Sequence, residues 1–137
     1  MIFLDTNVVS EPMRQESSTA VVDWLAEHEK HLALSTIVLA EIAFGIFSVR
    51  KAERSPRWLD QLLYIREKYE SQIHAFDEKS ALIYSRLMGD RKLAGRPMST
   101  IDGMIAAIAL RHEAKLATRN VKHFQSIGLK LINPWTD

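Results

Sequence analysis

Short apolar runs alternate with longer helical stretches along the whole chain. Five of these runs are rich in Ile, Leu, Phe and Ala, and they lie at residues 2–4, 32–35, 73–76, 115–118 and 129–132. Runs this short are typical of buried strands. Alternation of strands with helices favours a parallel sheet that helices cover on both faces, because each parallel connection must cross over the sheet.

The segments between these runs have helical spacing. They cover residues 18–28, 36–50, 57–70, 78–93 and 100–112, and Ser18 or Thr19, Asp77 and Ser99 stand where N-caps are expected. No repeat or Pro-rich linker interrupts the pattern. We therefore predict one α/β domain over residues 1–137, with a small parallel sheet of four or five strands.

Composition excludes several classes of protein. The chain has 137 residues and no cysteine, which rules out a disulfide framework and cysteine-ligated zinc. No apolar run reaches the length of about 18 residues that a membrane span needs. The N-terminus lacks the charged start of a signal peptide. We therefore expect a cytoplasmic protein that does not enter a membrane.

Charge is unevenly distributed although the formal net charge is only +1. Residues 1–85 carry 9 basic and 13 acidic side chains, whereas residues 86–137 carry 9 basic and 4 acidic ones. Scatter on a solvated surface is one explanation. The other is a base-rich C-terminal third suited to a polyanion.

Asp5 directly follows the first apolar run. In a parallel α/β sheet, ligand sites lie beyond the carboxyl ends of the strands, which is where this carboxylate is expected. The alternative is a structural role, because Asp-Thr-Asn is also turn chemistry.

Glu41 is the only charged side chain between Thr36 and Val49. A helix that is apolar on all sides is normally buried, and an unpaired carboxylate there is costly. Glu41 therefore has either a functional role or an ion-pair partner elsewhere in the chain.

Asp102 and Asn120 complete a set of four candidate residues. Asp102 fits a capping box with Ser99, yet it shares a helical face with apolar residues. Asn120 follows the fourth strand, where it is expected either to cap a short helix over 121–126 or to provide an oxygen ligand.

Converging carboxylates require a counter-charge. Two of them about 4 Å apart repel by roughly 4 kcal/mol at an effective dielectric near 20. Oxygen ligands without cysteine or paired histidine favour Mg²⁺ or Mn²⁺ over zinc. The chemistry this predicts is metal-assisted cleavage of a phosphodiester.

These motifs resemble the PIN-domain ribonucleases, in particular VapC-like and FitB-like toxins of type II toxin–antitoxin pairs. The resemblance rests on Asp5-Thr6-Asn7 after the first strand, on Glu41 in Ala-Glu-Ile, on Asp102 in Thr-Ile-Asp-Gly-Met-Ile-Ala-Ala, and on Leu-Ala-Thr-Arg-Asn ending at Asn120. Ser10-Glu11-Pro12 and Asn133-Pro134-Trp135 are also similar to FitB-like members.

The resemblance implies an endoribonuclease with a PIN-like fold. Asp5, Glu41 and Asp102 match the acidic positions that hold Mg²⁺ or Mn²⁺, while Asn120 stands where many members have a fourth acid. Thr6 and Thr118 match polar positions that line the site. The implied partners are RNA, a VapB-like or FitA-like antitoxin, operator DNA through that antitoxin, and a second copy of the chain.

Basic residues near the ends of the predicted strands are candidates for positioning the substrate. Arg96, Arg119 and Lys122 lie in loops and are predicted to contact RNA phosphates. His28 and His31 are three residues apart at the end of a predicted helix, where we expect them to be exposed and not to bind a metal. The other three histidines have no paired spacing.

Two other functions remain open from the residues alone. In the first, the protein is a non-catalytic member of a toxin–antitoxin–DNA complex, a reading that Asn120 leaves open. In the second, Asp5 is the nucleophile of a phosphatase, although the Asp-x-Asp motif of such enzymes has Asn7 at its third position here.

Overall fold

The computed structural model describes all 137 residues and contains a five-stranded parallel sheet in the order β3-β2-β1-β4-β5. The strands are β1 (Ile2–Leu4), β2 (Leu32–Ser35), β3 (Ile73–His74), β4 (Lys115–Ala117) and β5 (Leu131–Ile132). The central strand β1 pairs with β2 on one side and with β4 on the other. Strands β2 and β3 extend the sheet on one side of β1, whereas β4 and β5 extend it on the other side. The junction of β1 and β4 is therefore a switch point of the strand order, which is where α/β sheets form ligand sites.

Six α-helices flank the sheet. They are α1 (Thr6–Val9), α2 (Thr19–Glu27), α3 (Thr36–Phe47), α4 (Pro56–Lys68), α5 (Glu78–Leu93) and α6 (Thr100–Arg111). Every residue of β1 and β2 is buried. Because successive strand residues point to opposite faces, helices must cover both faces, which confirms the predicted α/β class. None of the helices combines the length and the apolarity that crossing a bilayer requires.

Helix starts are set by short polar side chains, as predicted. Ser18 accepts a hydrogen bond from the backbone of α2, Asp77 from that of α5 and Ser99 from that of α6. Each of these residues satisfies an N–H group that has no partner inside the helix.

Some predicted boundaries were wrong. Strand β3 stops at His74 and β5 begins only at Leu131, so both edge strands are two residues long. The helix predicted over 121–126 is instead a 3₁₀ turn at Val121–Phe124, and the Asn120 side chain does not cap it. The single turn α1, which directly follows Asp5, was not predicted.

Helix α3 is not buried on all sides, contrary to expectation. Val38, Ile42 and Ile46 pack into the core, whereas Phe44 is 73% exposed and Phe47 55% exposed. Its apolar composition therefore reflects one core face and one apolar surface. Glu41 lies between these faces and is half-buried.

Candidate active site

Asp5 lies at the carboxyl end of β1, at the switch point of the sheet. Its backbone N–H donates to the carbonyl oxygen of Ala117 at 2.9 Å, which continues the pairing between β1 and β4. The side chain is 6% exposed. One carboxylate oxygen, Oδ2, accepts from the Thr118 hydroxyl at 2.7 Å, and the other, Oδ1, accepts from the Thr6 N–H at 2.8 Å. The second bond is the structural cap considered above, so Asp5 has this role as well as its place in the site.

Burial raises the pKa of the Asp5 carboxyl, and the negative charge of Asp102 raises it further. Hydrogen bonds from Thr118, Thr6 and Asn7 act in the opposite direction without cancelling the effect. Asp5 forms no ion pair with any basic side chain. A buried carboxylate without a cation is a position at which a bound cation is favourable.

Glu41 joins the site through Thr6. The Thr6 hydroxyl donates to Glu41 Oε1 at 2.6 Å, which links α3 to the turn that follows Asp5. Glu41 has no Lys, Arg or His partner, so the ion pair considered from the sequence is absent. Its other oxygen, Oε2, makes no hydrogen bond with the protein.

Asp102 occupies the first turn of α6. Its backbone N–H donates to Ser99 Oγ at 3.1 Å, which is one half of the predicted capping box. The other half is missing, because Asp102 Oδ2 lies 3.2 Å from His123 Nδ1 instead of reaching back to the cap. The side chain of Asp102 is 22% exposed, and its charge acts on Asp5.

Thr118 organises the edge formed by β1 and β4. It is fully buried, and while its hydroxyl donates to Asp5 it accepts the Asn120 N–H at 3.0 Å. Asn120 therefore contacts this network through its backbone. Its side chain is exposed and makes no hydrogen bond.

The two arginines predicted to position substrate form no ion pair with the acidic residues. Arg119 places its guanidinium 5.0 Å from the centre of the Trp135 ring, and its backbone N–H donates to Asn7 Oδ1 at 3.2 Å. Arg96 is exposed in the loop between α5 and α6, where its N–H donates to the Arg91 carbonyl. Neither side chain contacts Asp5, Glu41 or Asp102.

Two residues of the site were missed from the sequence. Asn7 donates weakly to Asp5 at 3.4 Å and also accepts from the backbone of Arg119. His123 pairs with Asp102 although it has no paired spacing with another histidine. Adjacency to Asp5 in the Asp-Thr-Asn motif was an available signal for Asn7. The sequence contains no comparable signal for His123, because its contact depends on how the 3₁₀ turn packs beside α6.

The donor set fits a hard divalent cation. No three acidic or histidine side chains lie close enough together to coordinate one ion directly. Mg²⁺ usually keeps several waters and takes only one or two protein carboxylates, so a complete protein cage is not required. The oxygens present belong to carboxylates, hydroxyls and amides, which suit Mg²⁺ or Mn²⁺.

The five-stranded parallel sheet, with the buried Asp5 at its switch point, places the chain in a known class of protein. The model of the PIN domain family matches residues 2–129, and the chain belongs to this family.

Relatives of known name cover almost the whole chain. It is 37% identical to the plasmid stability protein StbB of Pseudomonas syringae pathovar tomato, over 98% of this chain and 99% of the relative. It is 35% identical to the VapC ribonuclease Y4jK of Sinorhizobium fredii, over 98% of both chains. It is also 34% identical to the toxin FitB of Neisseria gonorrhoeae, over the full length of both.

Solved structures confirm the PIN-like fold. The structure of FitAB bound to an IR36 DNA fragment superposes with a TM-score of 0.88 at 32% identity, covering 98% of this chain and 96% of that one.

Proposed function

We infer that the protein is a metal-dependent endoribonuclease and the toxin of a type II toxin–antitoxin pair. The observation that carries this proposal is a buried Asp5 carboxylate without a cation partner, at the switch point of a PIN-domain sheet and within the electrostatic influence of Asp102. Relatives named ribonuclease and toxin, similar to this chain along its whole length, support it.

Asp5, Asp102 and Glu41 are the residues proposed to hold Mg²⁺ or Mn²⁺, in part through waters of the ion, since the three carboxylates do not lie close enough together to bind it directly. When bound, such an ion supplies Lewis-acid stabilisation of the charge that develops on the phosphate oxygens during hydrolysis. The Thr118 hydroxyl donates a hydrogen bond to Asp5 Oδ2, and the Thr6 hydroxyl donates one to Glu41 Oε1. These two bonds fix the orientation of the carboxylates. Oriented carboxylates avoid reorganisation during the reaction, and this is how a preorganised site lowers the barrier.

Glu41 Oε2 is the acceptor left open in this arrangement. It makes no bond to the protein, whereas Oε1 is held by Thr6. We propose that Oε2 accepts a hydrogen bond from the attacking water. Asn120 contributes through its backbone bond to Thr118 and not as a fourth acid.

The partners proposed for the chain follow from its relatives. The FitAB structure is a two-component complex on DNA. By analogy, this chain would be paired with a VapB-like or FitA-like antitoxin that carries the complex to operator DNA, and it would act as a homodimer on RNA when released.

The test is RNA cleavage by the purified, antitoxin-free chain. We expect cleavage with Mg²⁺ or Mn²⁺, loss of cleavage in excess EDTA, and loss in Asp5→Asn. Asp60→Asn, in α4 and outside the site, is the matched control and should cleave like the wild type.

Cleavage that persists in EDTA or in Asp5→Asn would refute the mechanism. Absence of cleavage by a folded wild-type chain with metal, together with retained antitoxin binding, would favour the non-catalytic alternative. An aspartyl-phosphate on Asp5 would favour the phosphatase.

A further inference from the structure

A polar pocket of about 350 Å³ opens beside the acidic residues. The end of α5, the start of α6 and the 3₁₀ turn at Val121–Phe124 surround it, and its walls include Arg91, Lys122 and His123. Asp102 lies at its border and is shared with the candidate active site. The pocket therefore adjoins the proposed reaction centre directly.

The two permanently charged side chains of this pocket lack acidic partners. Arg91 and Lys122 form no ion pair, and the only polar contact of the Arg91 side chain is a long one, 3.5 Å, to the Gln125 carbonyl oxygen. The Nε–H group of Arg91 is buried and has no acceptor. His123 alone has a carboxylate neighbour, Asp102. Two permanent positive charges thus face the pocket with one carboxylate, and an oxyanion would satisfy them.

We propose that this pocket binds a backbone phosphate of the RNA, next to the phosphodiester that is cleaved. The inference rests on the proposed function, because it explains how a polyanion is held beside acidic side chains that repel it. Of the three basic residues predicted from the sequence, Lys122 lines this pocket together with Arg91 and His123, whereas Arg96 and Arg119 do not line it. Contacts of this kind position the strand and do not read its sequence.

The proposal predicts a specific change in the salt dependence of RNA binding. A short fluorescein-labelled single-stranded RNA is titrated with the chain in EDTA, which prevents cleavage, over a series of KCl concentrations. For single strands, each phosphate contact contributes about 0.7 to the slope of log K against log salt. Because the pocket is proposed to hold one phosphate, we expect the double variant Arg91→Gln/Lys122→Gln to bind more weakly and to lose about 0.7 from this slope.

A matched double variant controls for net charge. Lys79→Gln/Lys115→Gln removes the same number of positive charges at exposed positions that do not line the pocket. We expect its slope to equal that of the wild type. Equal slopes for the two double variants, or no RNA binding by the wild type at low salt, would overturn the proposal.

Two further measurements keep the result interpretable. Lys122 is exposed and its side chain makes no hydrogen bond, so Lys122→Gln alone should fold normally even if Arg91→Gln is unstable. We expect it to bind RNA more weakly than the wild type and to lose part of the slope of about 0.7 that belongs to this phosphate. A single-stranded DNA of the same sequence carries the same backbone phosphates, so we expect the pocket variants to weaken its binding in the same proportion. DNA binding that the variants leave unchanged would mean that the pocket does not hold a backbone phosphate and would overturn the proposal.

The test of this pocket gives a result that is independent of the test of the proposed nuclease activity. If the pocket variants lose RNA binding but the wild type does not cleave with metal, the pocket is upheld and the nuclease is not. If the wild type cleaves and the pocket variants keep both slope and cleavage rate, only the pocket is refuted.

Discussion

Asp5 combines a structural role with a proposed chemical role at one position. Its two oxygens accept hydrogen bonds from Thr6 and Thr118, which fix the start of α1 and the junction with β4. Those bonds only partly offset the burial of its charge, because the pKa of the carboxyl remains raised. The side chain is therefore held in place by hydrogen bonds, while its charge stays unfavourable in the buried position. The proposed cation would relieve this cost.

This combination predicts that Asp5→Asn stabilises the metal-free chain at neutral pH. The amide carries no charge and keeps an acceptor for Thr6, but its NH₂ group cannot accept from the Thr118 hydroxyl. We expect the relief of charge burial to outweigh the loss of this hydrogen bond, because burial is the largest influence on the pKa of Asp5. Because the folded-state pKa of Asp5 is raised, the wild type gains stability relative to the variant as pH falls through that pKa, and the gain is complete below the pKa of the unfolded chain. Thermal unfolding in EDTA over a pH series measures the difference. A lower melting temperature for Asp5→Asn at neutral pH would mean that its structural role dominates.

Two glutamates with different surroundings allow a matched comparison. Glu41 makes one hydrogen bond, which a glutamine can also accept, so Glu41→Gln should change the free energy of unfolding by no more than about 0.5 kcal/mol without metal. Glu11 is 4% exposed, accepts the Ser18 N–H at 2.9 Å and contacts Arg14. Glu11→Gln should therefore cost about 1 kcal/mol, because a charged acceptor becomes neutral.

Denaturant unfolding of both variants in EDTA tests this contrast. We expect Glu41→Gln to abolish cleavage and Glu11→Gln to retain it. A loss of several kcal/mol in Glu41→Gln would indicate a structural role that its single contact does not explain.

At the scale of elements, the packing of α5 against α6 depends on a glycine next to Asp102. A Cβ at Gly103 would lie 2.5 Å from Met88 Sδ and 3.0 Å from Tyr84 Cε2. The absence of a side chain lets α5 approach closely, and the same approach brings Arg91 to the pocket beside Asp102. Gly103 thus helps to set the geometry of both sites.

Two glycine-to-alanine variants separate packing from helix propensity. Gly89 lies in α5 with no atom near its hypothetical Cβ, so Gly89→Ala should stabilise the protein by about 0.4–1 kcal/mol. Gly103→Ala gains the same propensity but overpacks the interface, which typically costs about 1–3 kcal/mol. Denaturant unfolding should give opposite signs for the two. Stabilisation by Gly103→Ala would mean that Met88 moves aside freely.

Local sequence predicted elements well where one principle dominated. Serine and aspartate caps identified the starts of α2, α5 and α6, since their side chains bond to backbone within a few residues. The exposed face of α3 was mispredicted because Phe44 and Phe47 are apolar but lie on the surface. Hydrophobicity alone does not distinguish a core face from an apolar surface.

At the scale of the whole molecule, alternation of strands and helices predicted a parallel sheet but not its order. The position of β1 at the centre depends on long-range pairing with β2 and β4, which no local pattern encodes. The acidic residues could be expected at the carboxyl edge of the sheet because they follow predicted parallel strands or begin predicted helices. The contact of His123 with Asp102 could not be expected, because it too depends on long-range packing. The roles of Asp5, Glu41, Asp102 and Asn120 in catalysis stay predictions for the variants described above to test.

The central position of β1 determines when the acidic site can form during synthesis of the chain. Asp5 is made first, but its partner Thr118 lies 113 residues further along the chain. Strand β4, which completes the junction, is also made near the end of synthesis. A nascent or truncated chain that ends before β4 therefore lacks one wall of the acidic site. Assembly of the site is coupled to near-completion of the polypeptide, so under the proposed function an unfinished chain would not cleave RNA.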